Sequence, residues 1–215
     1  MTTYFTADLH LGHARLAQSR GFATVHAHDA HVMAALYELN PDTDTLWVLG
    51  DICAGSPESA EHALEQLSTM RVPMHVVLGN HDPAHAMYGD VHSDVHADMV
   101  DLYAAVFETA QAEAQVRIGD RTVSLSHFPF VGTPDPYSRK DFSAWQLTDD
   151  GERWLIHGHT HSRIKCPGER SVCVSLEAWG LRPASEHDVA VLMSGRRESM
   201  DAFMEWQNHT KAPPL

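Results

Sequence analysis

Short apolar runs recur along the chain, and each is followed directly by polar residues that can bind a metal ion. Runs of this length, rich in β-branched and aromatic residues, predict buried strands that are covered on both faces. Because sites in open α/β sheets gather at the carboxyl ends of strands, we expect the polar residues to meet at one edge. The runs are Tyr4–Ala7, Thr45–Leu49, Met74–Leu78, Val123–Leu125 and Trp154–Ile156.

Amphipathic helices are predicted between the strands of the first half. One helix ends near Asn40-Pro41, and another begins at Ser56-Pro57-Glu58, which supplies an N-cap, a first-turn proline and an early acid. The apolar stripes of the three helices are Val32, Leu36 and Leu39, then Ala60, Ala63, Leu64, Leu67 and Met70, then Met99, Leu102, Tyr103, Val106 and Phe107.

The second half of the chain is richer in strand signals. Gly119-Asp120 predicts a hairpin turn between two alternating runs, and residues 83–98 and 128–150 are predicted to be loops near the site. Further strands are predicted at Ser171–Leu176 and Asp188–Met193, followed by a polar helix with Met200, Phe203 and Met204 on one face. This pattern predicts an α/β fold with mixed strands, in a single domain over residues 1–215.

Five motifs at the ends of the predicted strands supply only carboxylate, imidazole and amide donors. Such donors suit hard-to-borderline divalent metals, and they exceed the needs of a single tetrahedral zinc. Each motif alone has a plainer explanation as a turn or a helix cap. Together they fit two metals held roughly 3.5–4 Å apart. The motifs are Asp8-Leu9-His10, Gly50-Asp51, Gly79-Asn80-His81-Asp82, Ser126-His127 and Gly158-His159-Thr160-His161.

The residues and the order of these motifs resemble those of the calcineurin-like metallophosphoesterases, in particular small bacterial and phage-type phosphodiesterases, over residues 8–161. The resemblance implies a four-layer α/β/β/α sandwich of two mixed β-sheets flanked by helices. It also implies that Asp51 bridges two metals. One metal would be held by Asp8, His10 and His161, and the other by Asn80, His127 and His159.

The resemblance also assigns catalytic roles. A hydroxide that bridges the two metals would attack the phosphorus, and His81 would protonate the leaving oxygen, oriented by Asp82. Two substrate-binding candidates keep a structural alternative. His13 contacts a phosphate or caps a short helix, and Arg20 reaches a substrate phosphate or forms a surface ion pair.

Charge and composition limit the classes of molecule that the protein can bind. The formal net charge of −14 over 215 residues disfavours long nucleic acids and leaves small anionic substrates compatible. A first strand close to Met1 leaves no room for a signal peptide, and no apolar run approaches the roughly 20 residues that span a bilayer. Three cysteines suggest no disulfide framework. We therefore expect a cytoplasmic protein without a membrane partner, and homo-oligomerisation is left open.

The remaining histidines, among them His28 and His85, are expected to be solvated or locally capping. The predicted function is a metal-dependent phosphodiesterase for small nucleotide-type diesters, such as 2′,3′-cAMP, other cyclic nucleotides and bis-p-nitrophenyl phosphate. Two divalent ions are expected, with Mn²⁺ first and Fe, Zn, Mg or Ni as alternatives. The alternatives are a nucleotide or protein phosphomonoesterase, a metal-dependent nuclease and a non-catalytic scaffold of the same fold.

Overall fold

A computed structural model of the chain describes residues 1–89, 93–134 and 140–195. The strands in these ranges are β1 Thr2–Thr6, β2 Asp44–Val48, β3 Met74–Val77, β4 Thr109–Gln111, β5 Glu113–Ile118, β6 Arg121–Ser126, β7 Trp154–His157, β8 Ser171–Cys173 and β9 Ala184–Ser185. The α-helices are α1 Ala14–Ser19, α2 Val25–Tyr37, α3 Pro57–Leu67, α4 Ser93–Val106 and α5 Glu186–Met193.

The strands form two mixed sheets. The first has the order β4-β3-β2-β1-β9, in which β1 to β4 are parallel and β9 runs antiparallel to β1. The second has the order β5-β6-β7-β8, with an antiparallel hairpin β5–β6 and parallel pairs after it. The hairpin closes where Ile118 pairs with Arg121, so the turn predicted at Gly119-Asp120 is confirmed.

Two apolar layers cover the central strands on both faces. Helices α2, α3 and α4 pack on one face of the first sheet through buried residues such as Leu36, Leu64 and Tyr103. A second layer joins the two sheets, where Phe5 packs in the same cluster as Leu125. The predicted α/β class, with two mixed sheets and flanking helices, is confirmed.

Most residues of the predicted helical stripes are buried, Met70 and Val106 are partly buried, and one residue is exposed. The N-cap at Ser56 is present, because its hydroxyl accepts a hydrogen bond from the Ser59 amide. Leu102, assigned to the apolar face of α4, is instead 39% exposed.

The strand predicted at Asp188–Met193 is wrong, because these residues belong to α5. Ser185 caps this helix by accepting from the Asp188 amide at 3.1 Å. Val189, Leu192 and Met193 are buried at helical spacing. A short apolar run fits a strand or a buried helix equally well, so its periodicity alone could not decide.

The loop predicted at residues 83–98 is also partly wrong, because it contains a 3₁₀ turn at Ala86–Tyr88 and the start of α4 at Ser93. Residues 128–150 are irregular where they are described, apart from a 3₁₀ turn at Ser143–Trp145. The helix predicted around Met200 lies outside the described residues. Within the described ranges, no helix is both long and apolar enough to cross a bilayer.

Candidate metal centre

The predicted ligands converge at one edge, where strands of both sheets end. Asp8 and Asp51 follow β1 and β2, and Asn80 follows β3 in the first sheet. His127 follows β6, and the pair His159 and His161 follows β7 in the second sheet. The sheets are joined here by the His159 amide, which donates to the Asp8 carboxylate at 3.1 Å.

The backbone is strained at the ligands themselves. Asp8, His10, Asp51, His159 and His161 all have positive φ, between 46° and 68°. Residues other than glycine rarely adopt this left-handed conformation, which costs of order 1–3 kcal/mol each and clusters at functional sites. Among the other described non-glycine residues, only Leu181 shares it.

Glycine permits the close approach of the loops. A Cβ atom on Gly79 would overlap the Asp51 carboxylate and would lie 2.8 Å from the His127 ring. Gly50 has a φ of +87° and faces the same ring. Gly79 is therefore required by space, and Gly50 by both space and conformation.

Asp8, His10 and His161 form the first ligand cluster. The His161 Nε2 atom lies 3.9 Å from Asp8 Oδ1, and the rings of His10 and His161 stack with centroids 5.1 Å apart. His10 Nδ1 donates to the Cys53 carbonyl at 2.8 Å, which leaves Nε2 with a free lone pair. That Nε2 atom is buried and has no hydrogen-bond partner among the described residues.

Asn80, His127 and His159 form the second ligand cluster. His127 Nε2 lies 3.2 Å from Asn80 Oδ1 and 3.2 Å from His159 Nδ1. His127 Nδ1 donates to the Leu49 carbonyl at 2.8 Å, so Nε2 again carries the lone pair. The six side chains of the two clusters therefore offer nitrogen or oxygen atoms that can bind a metal ion.

Asp51 lies between the two clusters. Its Oδ2 atom is 3.6 Å from His10 Nε2, and its Oδ1 atom is 3.5 Å from His127 Nε2. Each oxygen therefore faces a different cluster.

The charges of the site fit divalent cations. Burial raises the pKa of Asp8, and burial together with Asp82 and Asp8 raises the pKa of Asp51. Burial also lowers the pKa of His10 and His127 well below the usual value. Neutral imidazoles with free lone pairs beside crowded carboxylates are the donors that a divalent cation binds, and such a cation would favour the ionised carboxylates.

Asp82 does not orient His81, so that part of the prediction is wrong. Its carboxylate faces the loops, where Oδ2 accepts from the amides of Gly79 at 2.7 Å and Asp51 at 2.8 Å. Oδ1 accepts from the Ile52 amide at 3.0 Å and from the Tyr103 hydroxyl at 2.9 Å. Asp82 therefore fastens the loops that carry Asp51 and Asn80 to each other and to α4.

His81 is held by a backbone carbonyl instead. Its Nδ1 atom lies 3.3 Å from the Ala54 carbonyl, which leaves Nε2 as the atom available in the cleft. Its ring meets the His10 ring edge-on at 5.2 Å. Burial lowers the pKa of His81, although the Ala54 carbonyl and Asp82 oppose the shift.

His13 and Arg20 take structural positions. His13 caps α1, with Nδ1 accepting from the Leu16 amide at 3.2 Å, and its side chain also lines the cleft. Arg20 is buried, and its guanidinium contacts the carbonyls of Asp8 and Leu9. This placement favours a structural role for Arg20 over the predicted substrate contact.

Glu177 is a site residue that the sequence did not single out. Its Oε1 atom accepts from His161 Nδ1 at 2.9 Å and from Arg20. Although burial opposes the shift, His161 and Arg20 lower the pKa of Glu177 to about 2. Its one signal was its place in Ser175-Leu176-Glu177-Ala178-Trp179, which resembles the strand and turn that follow the last motif in the phage-type subgroup and to which the resemblance gives a structural role.

His28 and His85 are both buried, and His85 also fulfils the capping alternative, because its Nδ1 accepts from the Met87 amide at 3.0 Å at the start of the 3₁₀ turn. His28 contacts Asp29 and Arg20, and His85 packs edge-on against Trp145 with ring centroids 4.6 Å apart. Neither lines the cleft beside the two clusters.

A cleft of about 1020 Å³ opens over the two clusters. His81 and His13 line it together with cationic and aromatic residues, namely Arg15, Lys140, Arg163, Tyr88 and Phe142. Phe142 lies beside the second cluster, with its ring 5.3 Å from that of His159.

Known proteins resemble the chain over most of its length. Residues 1–179 match the family described as the calcineurin-like phosphoesterase superfamily domain. The Gene 66 protein of Mycobacterium phage L5 is 40% identical over 189 residues, which cover 83% of this chain and 87% of that protein. The crystal structure of a protein of unknown function, AQ665 from Aquifex aeolicus, matches with a TM-score of 0.65 and 20% identity. It covers 89% of this chain and 98% of that one, and shows the shared fold.

Two relatives match a shorter part of the chain. A 3′,5′-cyclic-nucleotide phosphodiesterase of Nostoc sp. is 36% identical over 81 residues, which cover 37% of this chain and 30% of that protein. A symmetrical bis(5′-nucleosyl)-tetraphosphatase of Klebsiella pneumoniae is 33% identical over 82 residues, covering 38% and 24%.

The role of Asp82 as a fastener can be tested by Asp82→Asn. An amide keeps one acceptor oxygen but turns an NH₂ group toward two donors, so their hydrogen bonds are lost in the buried loops. We expect the free energy of unfolding to fall by about 3 kcal/mol in urea denaturation. Asp101→Asn is the control, because Asp101 is exposed on the same helix as Tyr103. Equal stability of the two variants would contradict this role.

Proposed function

The chain belongs to the calcineurin-like phosphoesterase superfamily, a family of metal-dependent hydrolases, and we propose that it is a two-metal phosphodiesterase for small nucleotide-type diesters. One observation carries the proposal of two metals. The two oxygens of Asp51 face separate ligand clusters, at 3.6 Å from His10 and 3.5 Å from His127. A carboxylate in that position can bind one cation with each oxygen and reduce their mutual repulsion.

The two clusters divide the ligands. Asp8, His10 and His161 would hold one ion, and Asn80, His127 and His159 would hold the other. The expected ions are two Mn²⁺ ions. They would polarise the phosphoryl oxygens and lower the pKa of an attacking water. The neutral amide of Asn80 supplies an oxygen donor without a second full negative charge at its ion. The orienting carbonyls of Cys53 and Leu49 keep His10 and His127 in the tautomer that binds metal.

His81 is the proposed proton donor. Because Nδ1 is held at the Ala54 carbonyl, Nε2 is the atom that can hold a proton in the cleft. His81 would pass this proton to the leaving oxygen as the phosphorus–oxygen bond breaks.

The cleft favours a small anionic substrate. Arg15 and Arg163 line it, and among the described residues neither forms an ion pair. In a chain with a net charge of −14, such cations would attract phosphate to this opening while the rest of the surface repels long polyanions. Tyr88 and Phe142 offer aromatic faces for a nucleobase. The two relatives that match part of the chain are named as a cyclic-nucleotide phosphodiesterase and a bis(5′-nucleosyl)-tetraphosphatase. These names support a nucleotide-type substrate.

A phosphomonoesterase is the second candidate. A terminal phosphate carries an additional negative charge, and the cations Arg15 and Arg163 could bind it. We prefer the diester because the cleft is open enough, at about 1020 Å³, to hold groups on both sides of a phosphorus.

Metal stoichiometry tests the two-ion site. Because Asp51 faces both clusters, Asp51→Asn should weaken the binding of both ions. His127→Ala should mainly abolish the binding of one ion. Elemental analysis should find two ions per chain in active wild type, about one in His127→Ala and fewer than one in Asp51→Asn. A single ion per chain in fully active wild type would reject the two-ion site.

His81→Ala separates proton transfer from metal binding. We expect both ions to stay bound while kcat falls by about 10²–10⁴-fold. The loss should shrink for p-nitrophenolate leaving groups, which need little protonation. His26→Ala, at an exposed position on α2, is the control. An equal loss for all leaving groups would indicate charge stabilisation, and wild-type rates would exclude both roles.

Substrate choice is tested with a pair of chromogenic esters. We expect a higher kcat/KM for bis-p-nitrophenyl phosphate than for p-nitrophenyl phosphate. We also expect hydrolysis of cyclic nucleotides, with 2′,3′ rings preferred because opening them relieves strain. A tenfold preference for the monoester, about 1.4 kcal/mol in transition-state binding, together with inert cyclic nucleotides would favour the phosphomonoesterase.

A further inference from the structure

A buried ion pair joins two distant parts of the chain behind the first ligand cluster. Arg20 Nε and Nη2 lie 2.9 Å and 2.8 Å from Glu177 Oε1, across 157 residues of sequence. Only 3% of the Arg20 side chain and 13% of the Glu177 side chain are exposed. Burying two charges is costly, and apolar residues of similar volume often give equal stability. Such a pair therefore invites an explanation beyond stability.

Both partners reach the ligands of the first cluster. Glu177 Oε1 also accepts from His161 Nδ1 at 2.9 Å, which turns Nε2 of that ring toward Asp8. Arg20 Nη2 donates to the Asp8 carbonyl at 2.7 Å, and Nη1 donates to the Leu9 carbonyl at 3.2 Å. These carbonyls belong to the turn in which Asp8 and His10 have positive φ. One ion pair thus fixes a ring on one side and a strained turn on the other.

Helix α2 supports the guanidinium from behind. Arg20 has no acceptor, so His28 Nε2 must accept from Arg20 Nη1 at 2.8 Å. His28 Nδ1 therefore carries the hydrogen and donates to Asp29 Oδ1 at 2.8 Å. The other oxygen of Asp29 accepts from the Gly12 amide at 2.9 Å, which is a second anchor on the same loop.

The second ligand cluster is oriented by different groups. His127 is held by the Leu49 carbonyl, and the loops of Asp51 and Asn80 are fastened by Asp82. Among the described residues, the hydrogen bonds of Arg20 and Glu177 go to each other, to His28, to His161 and to the carbonyls of Asp8 and Leu9. The ion pair therefore acts on one side of Asp51.

We propose that Glu177 and Arg20 are positioning residues for one of the two metal sites, the site formed by Asp8, His10 and His161. The inference rests on the proposed two-metal function and extends it with an asymmetry. Changes at the ion pair should weaken one site and leave the other close to its original affinity. Partners of metal ligands typically contribute 10–100-fold to metal affinity.

The test uses two conservative variants, Glu177→Gln and Arg20→Lys, which keep the size of each side chain. The glutamine lacks the full charge that both donors share, and the lysine lacks the planar fork that reaches two carbonyls and a carboxylate. Mn²⁺ titration of the metal-free proteins by calorimetry should show one site weakened about 10–100-fold and the other changed less than about threefold. The pattern should match that of His161→Ala and differ from that of His127→Ala.

The exposed ion pair between Arg182 and Glu38 provides matched controls. Both side chains are 59% exposed, so Arg182→Lys and Glu38→Gln make the same substitutions in a solvent-exposed ion pair. These variants should leave the Mn²⁺ affinity of both sites unchanged. Melting temperatures of the metal-free proteins separate positioning from a general loss of structure.

Three results would overturn the inference. Unchanged Mn²⁺ affinity at both sites in both variants would deny a positioning role. Equal weakening of both sites, in step with a lower melting temperature, would make the ion pair merely structural. Wild-type protein that binds only one Mn²⁺ would remove the two-metal function itself, and the inference with it. The first two results leave the proposed function standing.

Discussion

The carboxylate of Asp82 is the interaction on which the rest of the site depends. Four donors meet it, from the loops that follow β2 and β3 and from Tyr103 on α4. These contacts set the distance between Asp51 and Asn80, the two oxygen ligands contributed by neighbouring strands. The carboxylate is fully buried, so each lost hydrogen bond would leave a donor without water. The apolar face of α4 thereby anchors the geometry of the metal centre.

Around Asp82 the chain has unusual backbone conformations, very close packing and buried charges. Five candidate ligands have left-handed backbones, and Gly79 lies where a Cβ atom would overlap the Asp51 carboxylate. Three carboxylates, those of Asp8, Asp51 and Asp82, are buried close together, and burial raises the pKa of each. Local conflicts of this kind gather where a protein binds or reacts. Divalent cations would offset the repulsion that these residues create.

The sequence predicted the hairpin and the strands that precede the motifs because these features are local, but it missed β4 and β9, which span three and two residues. Apolar runs mark the strands, and each motif follows one directly, so the fold alone brings them to one edge. Asp82 was misassigned because the resemblance implied that the acid after His81 orients that ring, whereas successive residues of a tight turn point in different directions. Glu177 and Arg20 lie 157 residues apart, and no local pattern marks their pairing. The helix at Glu186–Met193 was misread because its apolar run is too short for its period to be decisive.

The proposed function requires Asp51 to lie between two divalent ions, a placement that would connect the geometry of the loops to phosphodiester chemistry. Anomalous diffraction from crystals soaked in Mn²⁺ tests it most directly. We expect two anomalous peaks roughly 3.5–4 Å apart, one beside each oxygen of Asp51, with His10 and His161 at one peak and His127 and His159 at the other. A single peak, or two peaks with Asp51 outside both coordination spheres, would contradict it.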